Sequence, residues 1–435
     1  MTHIGEPVQL LYGASPIERK LRARLERDLS FAGHRTAYAS HNTHAFAAKF
    51  PPQLPRAFIE DLTLPGERVL DPMAGSGTAI VEAALCGRVG IGADLDPLAT
   101  AISAAKTTAV DCEAVASLTE AVTDYAQILV ANGGSRYAET VLSSLDPESA
   151  DFVRYWFLPD TIAELGALRA AIIRLTSPPY RRLFDVLLSS IIVTKSGGVS
   201  MARDLAHSRP HRVDGKRVKS AIQSFAEKAG KLQGMLGEIE SWPGTAYVVR
   251  SDCRHLPLTD SSIDLVVTSP PYANAIDYVR AHKFSLVWLG YRIGTLSRLR
   301  TRYIGAELGS APGEGIPSTT CNSILANVER VDRRRARIIG RYFRDMRETL
   351  GEVYRVLRAG RAAIVVVGSS TVRGICIPTA LILAELGESV GLKVVGVKER
   401  SIDRDRRLMP VSRVSNKEGI EARMHGEEVV AFVKS

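Results

Sequence analysis

The chain has 435 residues, of which 45% are hydrophobic and 24% are charged, and its formal net charge is +9. This composition excludes intrinsic disorder, because disordered chains are poor in hydrophobic residues. No apolar run approaches the roughly 20 residues that a membrane-spanning helix needs. The positive charge hints at a polyanionic partner, but net charge alone is weak support for one.

The N-terminus and the cysteines indicate a cellular compartment. The first 30 residues carry a run of charges in place of an apolar signal core, so we do not expect secretion. The five cysteines lie far apart and form no CxxC pair, which argues against a disulfide framework and against a zinc site. We therefore expect a reduced, cytoplasmic protein without a bound metal or a membrane.

Hydrophobic periodicity divides the chain into four stretches. Residues 1–40 are polar and basic and contain leucines at the spacing of a short amphipathic helix. Residues 41–110 alternate strand and helix patterns, whereas 111–244 has helical spacing with few strand signals. The strand and helix patterns return over 245–435, interrupted by a segment rich in glycine and proline at 290–337. This order predicts an α/β fold with a parallel sheet, a mostly helical insertion and a second, loop-rich insertion.

A glycine-rich turn, DPMAGSGT, begins at Asp71 directly after the first predicted strand. Gly75 and Gly77 lack a Cβ, so the backbone there can approach a ligand closely. Asp94 ends the next predicted strand, 19 residues after Gly75, where a carboxylate can accept both ribose hydroxyls of an adenosine group. The third glycine of the dinucleotide pattern is replaced by Ile80, and Asp71 would repel a pyrophosphate but suit an amine. The turn therefore favours S-adenosylmethionine (SAM), which has the amine and no phosphate.

A third acid, Asp252, follows the predicted strand 247–249. In the same sheet its carboxylate could reach the adenine amino group of the cofactor. A lone aspartate at this place is more often a surface or capping residue, but the two acids beside it favour the cofactor role.

The sequence TSPPY starts at Thr268, directly after the predicted strand 263–267. Two prolines fix a rigid turn at the edge of the sheet where ligands of open α/β folds bind. Ser269 and the carbonyl of Pro270 offer acceptors, and Tyr272 offers a flat face on which a base can stack. Such acceptors can hold the hydrogens of a planar exocyclic amine and aim its nitrogen at a methyl sulfonium.

The same five letters occur at 176–180. This copy follows a helical pattern and continues into another one, so we expect it to be a structural turn between two helices.

The pairing of DPMAGSGT with TSPPY resembles the SAM-dependent DNA amino methyltransferases, which modify cytosine N4 or adenine N6. The SPPY form with Ser269 is typical of the N4-cytosine members, and the segment HAFAAKFPP at 44–52 resembles the part of the family that closes over the methionine end of SAM. The two motifs cover about 41–105 and 245–290, with weaker similarity over 340–433. The resemblance implies a Rossmann-like methyltransferase sheet in which the loop-rich insertion recognises the target, with SAM as the cofactor.

The resemblance also implies roles for individual residues. The cofactor-binding residues would be Phe50, Pro51, Asp71, Pro72, Ala74, Gly75, Gly77, Thr78, Asp94, Leu95, Asp252 and Cys253. The catalytic residues, which hold the target amine and base, would be Ser269, Pro270, Pro271 and Tyr272.

Several alternatives remain beside an N4-cytosine enzyme. The cofactor motif precedes the catalytic motif by about 190 residues, an order seen more often with adenine, so N6-adenine is the nearest rival. An RNA base-amine methyltransferase and a non-catalytic DNA-binding protein on the same fold are weaker rivals. Cytosine C5 chemistry is disfavoured, because it needs a thiolate after a proline and no cysteine here follows one.

Two basic segments are candidates for contact with DNA, which must present a flipped base to this chemistry. Residues 195–220 and 290–337 each carry a net charge of +5. The resemblance makes double-stranded DNA the partner and allows a cognate restriction endonuclease, with the enzyme a monomer or a homodimer. Candidate DNA-binding residues are Lys195, Arg203, Arg212, Lys216, Asp277, Arg280, Arg300 and Arg302.

Overall fold

A computed structural model of the chain describes residues 14–46, 49–194, 198–203, 210–236, 242–273, 278–306, 315–402 and 426–435. The strands in these ranges are β1 (Arg68–Asp71), β2 (Val89–Asp94), β3 (Ala202–Arg203), β4 (His211–Arg212), β5 (Thr245–Arg250), β6 (Ile263–Thr268), β7 (Leu357–Val367), β8 (Ser370–Val372), β9 (Ile375–Ile377), β10 (Leu392–Ser401) and β11 (Gly426–Lys434). The helices are α1 (Pro16–Glu26), α2 (Gln53–Leu62), α3 (Thr78–Leu85), α4 (Pro97–Lys106), α5 (Cys112–Gly133), α6 (Tyr137–Ser143), α7 (Pro147–Trp156), α8 (Pro159–Leu175), α9 (Pro178–Ile192), α10 (Ala221–Leu236), α11 (Tyr278–Leu286), α12 (Ile293–Arg300), α13 (Thr319–Val331), α14 (Arg333–Val356) and α15 (Thr379–Ser389).

Seven strands form one sheet in the order β10-β11-β7-β6-β1-β2-β5. Neighbouring strands from β7 to β5 pair in parallel, whereas β11 runs antiparallel to both β7 and β10. The chain moves from β1 to β2 on one side and later returns to β6 on the other side of β1. This reversal opens a crevice at the carboxyl ends of β1 and β6, where ligands of open α/β sheets bind. The predicted α/β fold with a mostly parallel sheet is confirmed.

Helices cover both faces of this sheet and bury it. The apolar side of α1, with Leu21 and Leu25, packs into a cluster with strand residues such as Val395 and Val429, as its leucine spacing predicts. A second cluster lies on the opposite face and includes Tyr342 of α14.

The stretch 111–244 contains the six helices α5 to α10 and the two-residue strands β3 and β4. Its apolar residues share one core with α4, α11 and α12, including Phe184, Phe225 and Phe284. The helical spacing therefore predicted its secondary structure correctly, and the shared core joins it to the sheet domain.

The prediction that 290–337 is loop-rich is wrong for most of its described residues. This segment contains α12, α13 and the start of α14. Asp332 is the N-cap of α14, and its side chain accepts a hydrogen bond from the backbone N–H of Arg335. The helix breakers that suggested a loop are concentrated between Gly305 and Pro317, so they interrupt the segment only in its middle.

No helix among the described residues is both long and apolar enough to cross a membrane. All five cysteines are free thiols.

Close packing of α3 on β2 generates a stability prediction. A Cβ at Gly90 would lie 2.7 Å from the carbonyl oxygen of Ile80, so Gly90→Ala must push the helix away from the sheet. We expect a loss of about 1–3 kcal/mol in the free energy of unfolding, measured by urea denaturation. Gly351→Ala is the matched control. Gly351 lies in the middle of helix α14, and a Cβ added there would meet no atom within 4 Å. It should instead gain up to about 1 kcal/mol, and equal losses in the two variants would contradict this packing.

Candidate active site at the carboxyl edge of the sheet

Three neighbouring parallel strands end side by side at Asp71, Asp94 and Thr268. A pocket opens at this edge, and its lining includes twelve of the residues predicted to bind the cofactor or to act in catalysis. These are Phe50, Asp71, Pro72, Ala74, Gly75, Thr78, Asp94, Leu95, Asp252, Cys253, Ser269 and Pro271.

Four predicted residues, Pro51, Gly77, Pro270 and Tyr272, are not part of this lining. The pocket also contains residues that were not individually predicted to bind the cofactor, although Phe46 and Lys49 belong to the HAFAAKFPP segment. They are Phe46, Lys49, Met73, Ser76, Asp96, Ala99, Tyr278, Arg302, Tyr303 and Ile304.

The glycine turn depends on its two glycines in different ways. Gly75 and Gly77 have φ of +50° and +77°, which side-chain-bearing residues rarely adopt. A Cβ at Gly77 would lie 2.9–3.0 Å from atoms of Ser103 on α4, and one at Gly75 would lie 3.1 Å from Phe46. Gly77 therefore permits close helix packing, whereas Gly75 faces the pocket.

Helix α4 holds the same turn in place. Ser103 Oγ donates to the carbonyl of Gly75 at 2.9 Å, and Lys106 Nζ donates to the carbonyl of Ser76 at 2.9 Å. Lys106 is 1% exposed, and this burial lowers its pKa well below the usual value. Sequence reasoning missed both residues, although they stand one helical turn apart on a helix that follows the acidic strand end.

Asp71 is a buried carboxyl group at the base of the pocket. Thr268 Oγ1 donates to its Oδ1 at 2.7 Å, and the backbone N–H of Met73 donates to the same oxygen at 3.2 Å. Burial raises the pKa of Asp71 to about 7, and the nearby Asp94 adds to the rise. A bound ammonium group would favour the charged form and so offset this cost.

Asp94 accepts one backbone hydrogen bond on each oxygen. The N–H of Gly75 donates to Oδ2 and the N–H of Asp96 donates to Oδ1, both at 2.8 Å. Burial raises the pKa of Asp94 to about 6. Because each carboxylate oxygen has two lone pairs, the group keeps acceptor capacity for two ligand hydroxyls.

Asp252 lies in the pocket lining, but its carboxylate is held by Arg254. The guanidinium makes a bidentate pair with distances of 2.9 Å to Oδ1 and 2.8 Å to Oδ2. These hydrogen bonds lower the pKa of Asp252 despite its burial. The carboxylate therefore stays ionised and rigid, and serves as an acceptor only with its remaining lone pairs.

One wall of the pocket comes from the segment 290–337, through Arg302, Tyr303 and Ile304. Burial raises the pKa of the Tyr303 hydroxyl, and so do the carboxylates of Asp96 and Asp94. The sequence showed no periodicity or motif that marks these residues.

Polar side chains fix the backbone of this wall. Arg254 Nη2 donates to the carbonyl of Arg302 at 2.8 Å, and the N–H of Gly305 donates to Asp345 Oδ2 at 3.0 Å. Arg341 Nη2 donates to the carbonyl of Thr301 at 2.7 Å. The same arginine that holds Asp252 thus also holds the wall opposite the glycine turn.

Aromatic rings close a further side of the pocket. Phe46 stacks on Tyr278 with ring centroids 5.5 Å apart, and His282 Nδ1 lies 2.7 Å from Asp96 Oδ2. Phe46 belongs to the HAFAAKFPP segment, which therefore reaches the pocket as the resemblance implied.

The TSPPY turn at 268–272 divides into an exposed and a buried part. Ser269 and Pro271 face the pocket, whereas Tyr272 is 7% exposed and its hydroxyl donates to Glu427 Oε1 at 2.9 Å. The ring of Tyr272 is thus packed behind the pocket wall, and the structure does not present it there as a stacking surface.

The earlier TSPPY copy is a helix junction. Helix α8 ends at Leu175, Ser177 is the N-cap of α9, and Pro178 is its first residue. The prediction of a structural turn is confirmed.

The candidate DNA-binding residues have mixed surroundings. Lys195 and Asp277 lie outside the described residues. Arg203 is exposed, and the guanidinium of Arg212 lies 5.0 Å from the ring centroid of Tyr155. Arg280 and Arg300 are half-buried.

Lys216 is a correction to the predicted set. Its ammonium group donates to the backbone carbonyls of Gly198, Ser200 and Ala202 at 2.6–3.1 Å, which uses all three of its hydrogens. The sequence could not separate this internal role from phosphate contact, because both need a lysine in a basic segment.

Comparison with known proteins agrees with this architecture. Residues 26–105 match the N6_N4_Mtase family model, described as DNA methylase. The chain is 23% identical to the type II methyltransferase M.MvaI of Kocuria varians, over 94% of this chain and 93% of the relative. It is 20% identical to the type II methyltransferase M.BsoBI of Geobacillus stearothermophilus, over 87% of this chain and 84% of the relative.

Among solved structures, the rRNA methyltransferase aviRa from Streptomyces viridochromogenes aligns over 95% of this chain and 92% of its own. Its identity is 10% and its TM-score is 0.28, too low to support a conclusion.

The sheet order and the pocket at its switch point are those of an open α/β fold that binds its ligand at the carboxyl ends of the strands, and the match to the DNA methylase family model supports a methyltransferase with SAM as the cofactor. Within that class, the chain is similar to the DNA amino methyltransferases, since residues 26–105 match their family model and two type II methyltransferases align with most of the chain. The pocket fits SAM, because Asp71 supplies a buried acceptor, Asp94 supplies a half-buried one, and Gly75 leaves room for a ligand against the backbone. No group of side chains suited to a metal ion occurs among the described residues.

The raised pKa of Asp71 generates a prediction about stability and binding. Its carboxyl group favours the protonated form in the folded state, so the stability of the unliganded protein falls as pH rises from about 4 to about 7. Asp71→Asn removes this pH dependence. Its free energy of unfolding, relative to that of the unsubstituted protein, should therefore be higher at pH 7.5 than at pH 4.5 by on the order of 2 kcal/mol, measured by urea denaturation. Loss of the charge should weaken SAM binding about tenfold or more, measured by calorimetry.

Asp96→Asn is the control with the opposite sign. The pKa of Asp96 is lowered by His282 and by backbone N–H donors despite burial, so its contribution is present at neutral pH and is lost on acidification. If Asp71→Asn and Asp96→Asn change the free energy of unfolding in the same direction at pH 7.5, the raised pKa of Asp71 is wrong.

Proposed function

We propose that this chain methylates the exocyclic N4 amine of cytosine in duplex DNA. The observation that carries this proposal is that Ser269 and Pro271 line the same pocket as Asp71 and Asp94. A target amine held at the TSPPY turn would therefore share one enclosure with the cofactor. When bound, SAM supplies a methyl group attached to a positively charged sulfur.

The residues of the chain bind and orient the target. The hydroxyl of Ser269 and the carbonyl of Pro270 accept from the two hydrogens of the amine, whose lone pair is otherwise delocalised into the ring. Fixed acceptors at this position act through geometry and electrostatics. The aromatic side formed by Phe46 and Tyr278 and the wall at Tyr303 limit access of water to the pocket. A base in a duplex must be flipped out of the stack to enter.

Ser269 at the head of the turn supports cytosine N4 as the target, because the resemblance associates this serine with the N4 enzymes. N6-adenine methylation is the nearest alternative, since the cofactor motif precedes the catalytic motif. Methylation of an RNA base amine is a weaker alternative. The relatives named type II methyltransferases support a place beside a cognate restriction endonuclease.

Mass analysis of nucleosides tests the target base. Plasmid DNA incubated with the enzyme and SAM should gain N4-methylcytosine, and N6-methyladenine alone would exclude the cytosine proposal. Equal methylation of RNA in a competition assay would point to the weaker alternative.

The two TSPPY copies give a matched pair of variants. Ser269→Ala should reduce methyl transfer by at least about 100-fold, because the target amine loses an acceptor, while the affinity for SAM stays unchanged, because Asp71 and Asp94 remain in place. Ser177→Ala removes the same hydroxyl from the earlier copy, where the side chain makes no capping hydrogen bond, and should keep full transfer. Full activity of the Ser269 variant would remove this serine from the mechanism.

Charge substitutions test the proposed contact with DNA phosphates. Arg203→Gln should weaken DNA binding and lower the slope of log K against log salt by about 0.9, measured by fluorescence anisotropy. Lys216→Gln should lower the melting temperature, because three backbone carbonyls lose their donor. An unchanged salt slope in the Arg203 variant would exclude that contact.

A further inference from the structure

A chain of buried polar groups runs from the catalytic turn to the far side of the sheet. Tyr272 donates to Glu427 Oε1 at 2.9 Å, and Arg400 Nη1 donates to Glu427 Oε2. Arg400 Nε also donates to the carbonyl of Leu29 at 2.8 Å, and Nη2 donates to that of Ser30 at 3.3 Å. Tyr272, Glu427 and Arg400 are 7%, 7% and 5% exposed.

The topology of the sheet explains how Glu427 reaches the catalytic edge. Strand β11 is antiparallel to β7, so its amino end lies beside the carboxyl ends of the parallel strands. Glu428 pairs with Val367 at the end of β7, and Glu427 pairs with Arg400 of β10. A parallel strand in this position would begin at the opposite edge and could not place its first residues here.

Chemistry then fixes the direction of the hydrogen bond. A carboxylate paired with a guanidinium is an acceptor, so the hydroxyl of Tyr272 must donate to it. Burial and the charge of Glu427 both raise the pKa of Tyr272, which keeps this hydroxyl protonated. Because Arg400 is itself held by two backbone carbonyls, Glu427 has a fixed place from which to hold the tyrosine.

The buried position of Tyr272 means that this contact acts behind the pocket wall. Pro270 and Pro271 make the turn rigid, so fixing its last residue also fixes Ser269 at its start. We propose that Glu427 is a positioning residue, which acts through the hydroxyl of Tyr272 to hold the TSPPY turn against the pocket. This inference rests on the proposed function, because its consequence is the placement of the target amine.

A double-mutant cycle with Tyr272→Phe and Glu427→Gln tests the inference. Each single variant should lower kcat about 10- to 100-fold, since small misplacements of a reacting group have effects of this size, while the Kd for SAM stays unchanged. The double variant should be no slower than the slower single variant, because both substitutions remove one shared hydrogen bond. Tyr272→Phe keeps the pair of Glu427 with Arg400, so it reports on the tyrosine even if the Glu427 variant fails to fold.

Asp264→Asn is the matched control. Asp264 is 2% exposed and accepts from Arg358 and from the N–H of Arg68, but it lies at the amino end of β6, away from the turn. It should lower stability and leave kcat per folded molecule unchanged. Two results would overturn the inference. One is a loss of kcat in the double variant equal to the product of the two single losses; the other is a loss of kcat in Asp264→Asn as large as that in the single variants.

Failure of the proposed function would give a different result. In that case the unsubstituted protein would transfer no methyl group to DNA. The same cycle measured by urea unfolding would still show coupling between Tyr272 and Glu427 if the hydrogen bond exists, and absence of coupling would overturn the inference independently.

Discussion

The site depends on two carboxyl groups at the ends of adjacent parallel strands, of which Asp71 is buried and Asp94 is half-buried. Asp71 and Asp94 lie within one pocket, and burial raises the pKa of both toward neutrality. Charged groups so placed are costly unless hydrogen-bond donors surround them, and the donors here come from Thr268, from the glycine turn and from the backbone N–H of Asp96, two residues after β2. A ligand that brings an ammonium group and hydroxyls supplies further donors to these carboxylates and so favours their charged forms, which burial disfavours.

Each turn at this edge of the sheet is fixed by hydrogen bonds with side chains from an element distant in sequence. Ser103 and Lys106 hold the glycine turn, and Glu427 holds the TSPPY turn. Asp345 and Arg254 hold the wall at 301–306. Asp71 and Asp94 are the last residues of their strands, whereas the other pocket residues on these turns lie in short loops that are fixed by helices and by β11. This arrangement explains why a sheet edge made largely of loops can present fixed acceptors.

The sequence predicted the parts of the site that local patterns encode. The acids at strand ends, the glycines with positive φ and the turn after β6 all follow from strand boundaries, which buried apolar runs make visible. Sequence context also identified the earlier TSPPY copy correctly as a junction between two helices. Tyr303 and Glu427 could not be found in this way, because their roles depend on which distant segments meet in space. The helices α12 and α13 were missed because a cluster of glycines and prolines between them dominated the local pattern.

The contacts of individual basic residues change how the two basic segments are interpreted. From the sequence, the basic segments 195–220 and 290–337 were equivalent candidates for binding DNA. In the structure, Lys216 of the first segment donates all its hydrogen bonds to backbone carbonyls. Arg302 of the second segment lies at the cofactor pocket, 4.0 Å from Asp252. Because the second segment forms a wall of that pocket, removing the charge of Arg302 should change the affinity for the cofactor, and it would also change the affinity for DNA if the proposed contact is made there. If this wall changes when DNA binds, DNA binding alters the affinity for SAM. SAM must then alter the affinity for DNA by the same factor, since coupling between two binding equilibria is reciprocal.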